Sequence, residues 1–351
     1  METVFEKIDR ADPFCEAVKK AASIIRAGGL VAFPTETVYG LGGNALNPEA
    51  SSKIYAAKGR PSDNPLIAHI AETEELEAVA RDIPDAAYLL AEKFWPGPLT
   101  MVLKKNASVP KTTTGGLDTV AVRMPSDEIA RALIRESGVP IAAPSANTSG
   151  RPSPTTAEHV REDLSGKIEM ILDGGPVEIG LESTIIDLSG DVPMLLRPGA
   201  VTLEMLRSVL GTVAIDPAIL GPVSADVKPK APGMKYRHYA PKAQMTIVMG
   251  EQKAVEAKIN ELAAAAVSEG KLAGIIATDE SMGNYTCGMI KSIGKRSSED
   301  TVAHNLFAVL RDFDEAGVDC IFSEGFEEEG IGRAIMNRMR KAAGYNIISV
   351  K

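Results

Sequence analysis

The chain has 351 residues and is poor in several features, each of which excludes a class of protein. Cysteine is scarce: Cys15, Cys287 and Cys320 stand far apart, and no C-x-x-C pair occurs. A disulfide framework and a cysteine-based zinc site are therefore not expected, and a reducing cytosol fits. Basic residues are outnumbered, with Lys+Arg 38 against Asp+Glu 47 and a net charge of −9. That argues against a long nucleic-acid duplex as the main ligand, because such binding is driven by a basic surface that displaces counterions. A small anion held by a few local cations stays possible. No apolar run approaches the length needed to span a membrane. The opening METVFEKIDRADPF lacks the basic start and apolar core of a signal peptide, so none is expected. No G-x-x-x-x-G-K-[ST] occurs, which excludes a P-loop.

What is present is a globular composition, 44% hydrophobic and 24% charged, at a length that suits about two domains. Phe14, Val18, Ala21, Ala22 and Ile25 recur at helical spacing, and Gly28-Gly29 stops that helix. The run Leu30–Phe33 predicts a buried strand, ended by Pro34. A helix is predicted over Pro48–Lys58, and further strands over Leu66–Ile70, Leu99–Leu103, Thr119–Arg123, Ile141–Ala143, Met170–Leu172, Ser183–Leu188 and Met194–Arg197. The succession is not a strict βαβ alternation, so the expected fold is α/β with a sheet of mixed direction. From Gly221 to Lys242 the composition shifts, with Pro222, Pro229, Pro232 and Pro241 breaking any periodicity, as in an inter-domain linker. After it, strands and helices alternate regularly, as in a small parallel Rossmann-like sheet. The expected division is residues 1–212, a linker over 213–243, and 244–351.

Candidate chemistry clusters in loops beyond strand ends, where α/β sheets place ligands. Pro34–Gly42 (PTETVYGLG) offers the hydroxyls of Thr35 and Thr37; plain turn chemistry explains them equally well. Gly40, Gly42 and Ala45 fit G-x-G-x-x-A, but six residues separate them from the strand end at Phe33, which disfavours a dinucleotide fingerprint. In Lys58–Pro65 (KGRPSDNP), Lys58 and Arg60 flank Gly59 and suit a phosphate or carboxylate clamp. Cations also simply favour helix C-termini, by a few tenths to about 1 kcal/mol. Ser145 and Asn147 follow the strand ending at Ala143. Arg123 and Arg197 each end a predicted strand, and Ser183 begins one, so convergence on one cleft is expected. His69 lies alone on a strand, where a histidine is more often structural than catalytic; a binding role, not that of general base, is expected of it. His159 and His304 fall on predicted helices, without metal-ligand spacing.

Taken together, PTETVYGLG (34–42), KGRPSDNPL (58–66), AVRMP (121–125), PSANTSGRPSP (144–154), ESTI (182–185), LRPG (196–199) and PGMKYRHYAP (232–241) resemble the YrdC-like family, in its long form of threonylcarbamoyl-AMP synthases. The motifs cover about the first 240 residues in order; the rest matches by size and arrangement. The resemblance implies a twisted mixed sheet with a concave cleft. It implies nucleotidyl transfer, in which ATP, L-threonine and bicarbonate or CO₂ give L-threonylcarbamoyladenylate and pyrophosphate, the first step of threonylcarbamoyladenosine formation beside the tRNA anticodon. Lys58 and Arg60 would be catalytic. Lys58, Arg60, Ser62, Thr119, Ser145, Asn147, Ser153, Arg197, Tyr236 and His238 would bind ATP, and magnesium would be carried by the phosphates. Thr35, His69, Arg123, Ala143 and Ser183 would line the threonine site. The linker would act as a flap over the cleft. A partner protein would transfer the threonylcarbamoyl group, with direct tRNA binding weak or absent, and the setting would be cytoplasmic. A double-stranded RNA or ribosome-associated module is the alternative, disfavoured by the acidic total. A carbamoyl-transfer enzyme with a similar domain is disfavoured by the missing C-x-x-C.

Overall fold

The computed structural model describes residues 2–219, 221, 231–232 and 238–351. Tyr236, expected to reach the nucleotide, lies outside the described residues, as does about half of the expected flap. The chain divides into two compact units. One comprises Met1–Ser149, Ser153–Glu178 and Glu182–Lys235; the other comprises Gly150–Pro152, Ile179–Leu181 and Tyr236–Lys351.

The first unit runs β1 (Val4–Lys7), α1 (Glu16–Arg26), β2 (Val31–Phe33), β3 (Gly40–Asn44), α2 (Pro48–Lys58), β4 (Ile67–His69), α3 (Leu76–Val79), α4 (Asp85–Phe94), β5 (Leu99–Lys104), β6 (Thr119–Arg123), α5 (Glu128–Ser137), β7 (Ile141–Ala142), α6 (Ala157–Leu164), β8 (Met170–Asp173), β9 (Thr184–Asp187), β10 (Met194–Arg197), α7 (Leu203–Leu210) and β11 (Ala214–Ile215). These strands form one sheet in the order β1-β8-β2-β3-β7-β4-β6-β5-β9-β10-β11. Its pairs are mixed: β4 with β6 and β5 with β9 run parallel, while β4 with β7 and β5 with β6 run antiparallel.

Alternation along β2 and β8 explains why both read as unbroken apolar runs. Val31, Phe33, Met170 and Leu172 face Val18, Ala21, Ala22 and Ile25 of α1 and Ile129 and Leu133 of α5. Ala32 and Ile171 turn the other way, into a core shared with Ile54 of α2 and Leu90 of α4. A sheet covered on both faces needs apolar residues at every position. Helix α2 is tightly delimited. The Asn47 side chain accepts from the Glu49 and Ala50 N–H groups, Pro48 opens the first turn, and Gly59 closes the helix at φ 61°. Those two ends fix where Lys58 emerges.

Three features depart from the sequence expectation. The G-x-G-x-x-A stretch lies on β3, paired antiparallel with β2. It does not open a helix, so there is no helix N-terminus there for a pyrophosphate, and the dinucleotide alternative is closed. Strand β1 was not expected; its Val-Phe-Glu-Lys has little apolar pattern and sits at the sheet edge beside β8. Ala214–Ile215, at the start of the expected linker, pair parallel with β10 and so belong to the first sheet.

The second unit runs β12 (Gln244–Met249), α8 (Gln252–Ser268), β13 (Ala273–Ala277), β14 (Met289–Ser292), α9 (Glu299–Ala316), β15 (Cys320–Glu324), α10 (Gly332–Ala342) and β16 (Ile347–Ser349). All pairs in its sheet, ordered β14-β13-β15-β12-β16, are parallel. That is the arrangement regular strand–helix alternation predicts. Val255, Ile259 and Ala263 of α8 cover Val248, Ile275 and Phe322. Among the described residues, no helix is long and apolar enough to cross a membrane.

Candidate active site

Sheet register gathers side chains that the sequence scatters. His69 pairs with Arg123 across β4 and β6. Arg123 pairs with Thr100 across β6 and β5. The Thr100 and Ser183 hydroxyls share a 2.7 Å hydrogen bond. Arg197 donates from Nε to the Ser183 carbonyl at 3.0 Å and from Nη2 to its hydroxyl at 3.1 Å. His69, Arg123, Thr100, Ser183 and Arg197 thus form a continuous row along one end of the sheet. All are buried, as few polar side chains are without a purpose for them. Thr100 was not foreseen; a threonine inside an apolar strand gives no sequence signal of its own.

His69 is held neutral. Burial, and then the charge of Arg123, push its pKa down to about 3. Its Nδ1 lies 3.1 Å from the Ile67 carbonyl, which only accepts, so Nδ1 carries the proton. The Ile141 backbone also lies within reach of the ring, and in this tautomer Nε2 is the nitrogen able to accept. A neutral, acceptor histidine suits a binding role and is a poor source of protons at neutral pH.

Lys58 anchors a second group. At 2% exposure its ammonium donates to the main-chain carbonyls of Ser145 and Asn147. Ser145 Oγ donates to Asn147 Oδ1 at 2.5 Å. Farther along the same loop, Ser153 Oγ donates to the Glu182 carboxylate, next to Ser183. The loop from 144 therefore reaches both Lys58 and the row at the sheet end. Gly199 permits this crowding: a Cβ there would meet Thr184 N at 2.5 Å and the Glu182 carbonyl at 3.0 Å.

Other expected residues sit less centrally. Thr35 Oγ1 donates to the Val38 carbonyl at 2.7 Å and contacts Thr37 Oγ1 at 2.9 Å, so its hydroxyl shapes the loop. Ala143 follows β7, its N–H bonded to the Ile67 carbonyl beside His69's strand. Arg60 donates to the carbonyls of Asn64 and Pro65 in its own loop. Ser62 is exposed and lines a depression of about 460 Å³ with Ser52, Tyr55, Asp63, Lys111 and Thr112. Thr119 begins β6 and Arg123 ends it, about 13 Å apart at strand rise. His238 belongs to the second unit, where its ring lies 5.6 Å from that of Tyr239.

One acidic residue joins the site unannounced. Glu36, 4% exposed, places Oε1 2.7 Å from Arg123 Nη2. Its one available signal was being the only charged residue in PTETVYGLG. Beside it lies a cavity of about 450 Å³, lined by Arg10, Glu36, Ser126, Asp127, Glu128, Pro176 and Glu178. Asp127 caps α5 and receives Arg10 Nη1 at 2.7 Å; burial raises its pKa against the pull of Arg10. Among the described residues, no group of three or more His, Cys, Asp or Glu side chains is placed to hold a metal ion.

Buried cations, hydroxyls and a neutral histidine at the end of a mixed sheet make a site of the class that suits positioning and charge neutralisation. Comparison with known proteins narrows this. Residues 23–199 match a family model described as telomere recombination, and residues 201–344 match the C-terminal domain of threonylcarbamoyl-AMP synthase. A threonylcarbamoyl-AMP synthase of Pyrococcus abyssi is 56% identical, over 95% of this chain and 96% of its own. One of Bacillus subtilis is 48% identical, over 98% and 97%. The crystal structure of P. abyssi Sua5 complexed with L-threonine matches at a TM-score of 0.92 and 51% identity, covering 100% of both chains. The chain belongs to the threonylcarbamoyl-AMP synthase family, transferases of the nucleotidyltransferase type, in the form that carries both domains.

Proposed function

We propose that the chain converts ATP, L-threonine and bicarbonate or CO₂ to L-threonylcarbamoyladenylate and pyrophosphate, the first step of threonylcarbamoyladenosine formation in tRNA. The amino group of threonine is carboxylated. An oxygen of the resulting carbamate attacks the α-phosphorus of ATP, a C–O–P bond forms, and the bond from the α-phosphorus to the bridging oxygen breaks to release pyrophosphate. The carrying observation is the row His69–Arg123–Thr100–Ser183–Arg197, assembled by register in a chain whose relatives of this name match it end to end.

The roles are those that the family resemblance implies. Arg123 offers a fork to the threonine carboxylate. His69 Nε2 accepts from the threonine hydroxyl or amine. Lys58, Arg60 and Arg197 neutralise the phosphates, with Ser62, Thr119, Ser145, Asn147 and Ser153 as hydrogen-bonding partners of the nucleotide. Magnesium would enter as part of the MgATP substrate, carried by its phosphates. A carbamate and a mixed anhydride are both labile in water, so a flap at 213–243 that brings Tyr236 or His238 to the nucleotide would protect them. The adenylate would pass to a partner protein that modifies tRNA, in a cytoplasmic setting.

The test incubates the full chain with MgATP, bicarbonate and either L-threonine or L-serine, and measures pyrophosphate. Threonine-dependent release is expected. Serine should lag by the worth of one methyl group, about 1–3 kcal/mol in k(cat)/K(M). Release that ignores the amino acid would defeat the proposal.

A further inference from the structure

The Glu36–Arg123 pair is built unlike a stability device. Both side chains are about 95% buried, with the carboxylate and guanidinium 2.7 Å apart. Neither oxygen of Glu36 is the target of a well-directed hydrogen bond, and Arg123 Nε and Nη2 have no well-directed acceptor. Burying two charges is expensive, and the attraction repays it only when the remaining donors and acceptors are satisfied. Here Glu36 Oε1 sits against Nη2 itself, and Nε and Nη2 are both buried, so the pair fixes the plane of the guanidinium without closing a full hydrogen-bond set. Arg123 also stands in register with His69, in the row already described.

We infer that Glu36 is a positioning residue: by holding Nη2, its carboxylate fixes the guanidinium of Arg123 so that the donors it leaves over present to the carboxylate of the amino-acid substrate. This rests on the assignment of Arg123 to threonine made above. Glu36 lines the cavity shared with Arg10 and Asp127, and Asp127 holds Arg10 while capping α5. The loop bearing Glu36 is pinned by the Thr35 hydroxyl. Glu36 acts through Arg123, whose orientation it sets, and touches no reacting atom.

The experiment uses the full chain and compares wild type, Glu36→Gln, Glu36→Asp, Arg123→Gln and the Glu36→Gln/Arg123→Gln double variant. Calorimetry gives Kd for L-threonine and for L-threoninamide, which lacks the carboxylate; pyrophosphate release gives kcat and both KM values. In Glu36→Gln, threonine Kd and KM should rise about ten- to a hundredfold, the range of a charge-assisted hydrogen bond. The KM for ATP and kcat at saturating threonine should stay within about threefold, the scatter expected when no reacting group is lost. The preference for threonine over threoninamide should shrink toward unity, and Glu36→Asp should recover part of it. In the Arg123→Gln background, Glu36→Gln should add nothing, since the pair acts as one unit. An unchanged threonine Kd in Glu36→Gln, a loss confined to kcat, a retained carboxylate preference, or full additivity in the double variant would each overturn the inference. If wild type itself bound no threonine, the functional assignment would fail instead, so the two failures are distinct.

Discussion

Glu36 and Glu324 are both buried glutamates, one in each unit, and they are satisfied in opposite ways. Glu324, 1% exposed at the end of β15, receives the hydroxyls of Ser281 and Tyr285, the Gln252 amide at 3.3 Å and the Arg296 guanidinium. Burial of the Tyr285 phenol, and then its hydrogen bond to Glu324, drive the Tyr285 pKa far upward, keeping the phenol a donor. Glu36 has one charged partner and no well-directed donor. A carboxylate saturated by its own unit holds a fold together, whereas one that meets a single guanidinium within a row of site residues serves to hold that guanidinium in place. The same contrast holds for the units at large. The expected site residues of known position gather in the first, His238 excepted, and the second carries a regular parallel sheet.

The largest effect should come from the first unit. Lys58→Ala removes the buried ammonium that bridges α2 to the loop at 144, and should lower k(cat)/K(M) for ATP about a thousandfold. Circular dichroism should show the fold retained; activity within tenfold of wild type would remove Lys58 from the chemistry. Next, Glu324→Gln should lower stability to denaturant by about 3 kcal/mol, because several donors lose a shared charge, while threonine Kd stays constant. A tenfold change in that Kd would break the contrast between the two glutamates.

A pH effect follows from His69. Its folded pKa, about 3, lies below the unfolded value of about 6.5, so between them the unfolded chain binds a proton that the folded chain refuses. Stability is fully present above pH 6.5 and falls as pH drops through that window, by about 2 kcal/mol at pH 5. Denaturant titrations of wild type and His69→Gln at pH 7 and pH 5 should show the variant losing less. Parallel losses would mean His69 is charged in the folded state. The smallest effect should be Ser62→Ala. The side chain is exposed, so the KM for ATP should rise about two- to threefold, the worth of one solvent-accessible hydrogen bond; a rise of fiftyfold would place Ser62 at the heart of the nucleotide site.

Much of the fold was legible in the chain because its elements are locally encoded. Helix α2 runs over the predicted Pro48–Lys58, bounded by Asn47 and Gly59, and the regular alternation expected after the linker folds as an all-parallel sheet. Short strands with weak patterns, β1, β14 and β16, escaped because sheet partners hold them where their own apolar content does not.

By itself the sequence determined the family, through short motifs in a fixed order, and the two fold classes, through periodicity and punctuation. Local forces suffice for both: a cap, a left-handed glycine and an apolar repeat act within a few residues of one another. Tertiary structure alone decided which side chains meet. His69, Thr100, Arg123, Ser183 and Arg197 span 129 positions and become neighbours only because β4, β6, β5, β9 and β10 lie side by side in that register. It also decided that Glu36 pairs with Arg123 and that the Thr35 hydroxyl closes its own loop. Hydrogen bonds and charges act over a few ångströms of space, and a linear order of residues does not contain those distances.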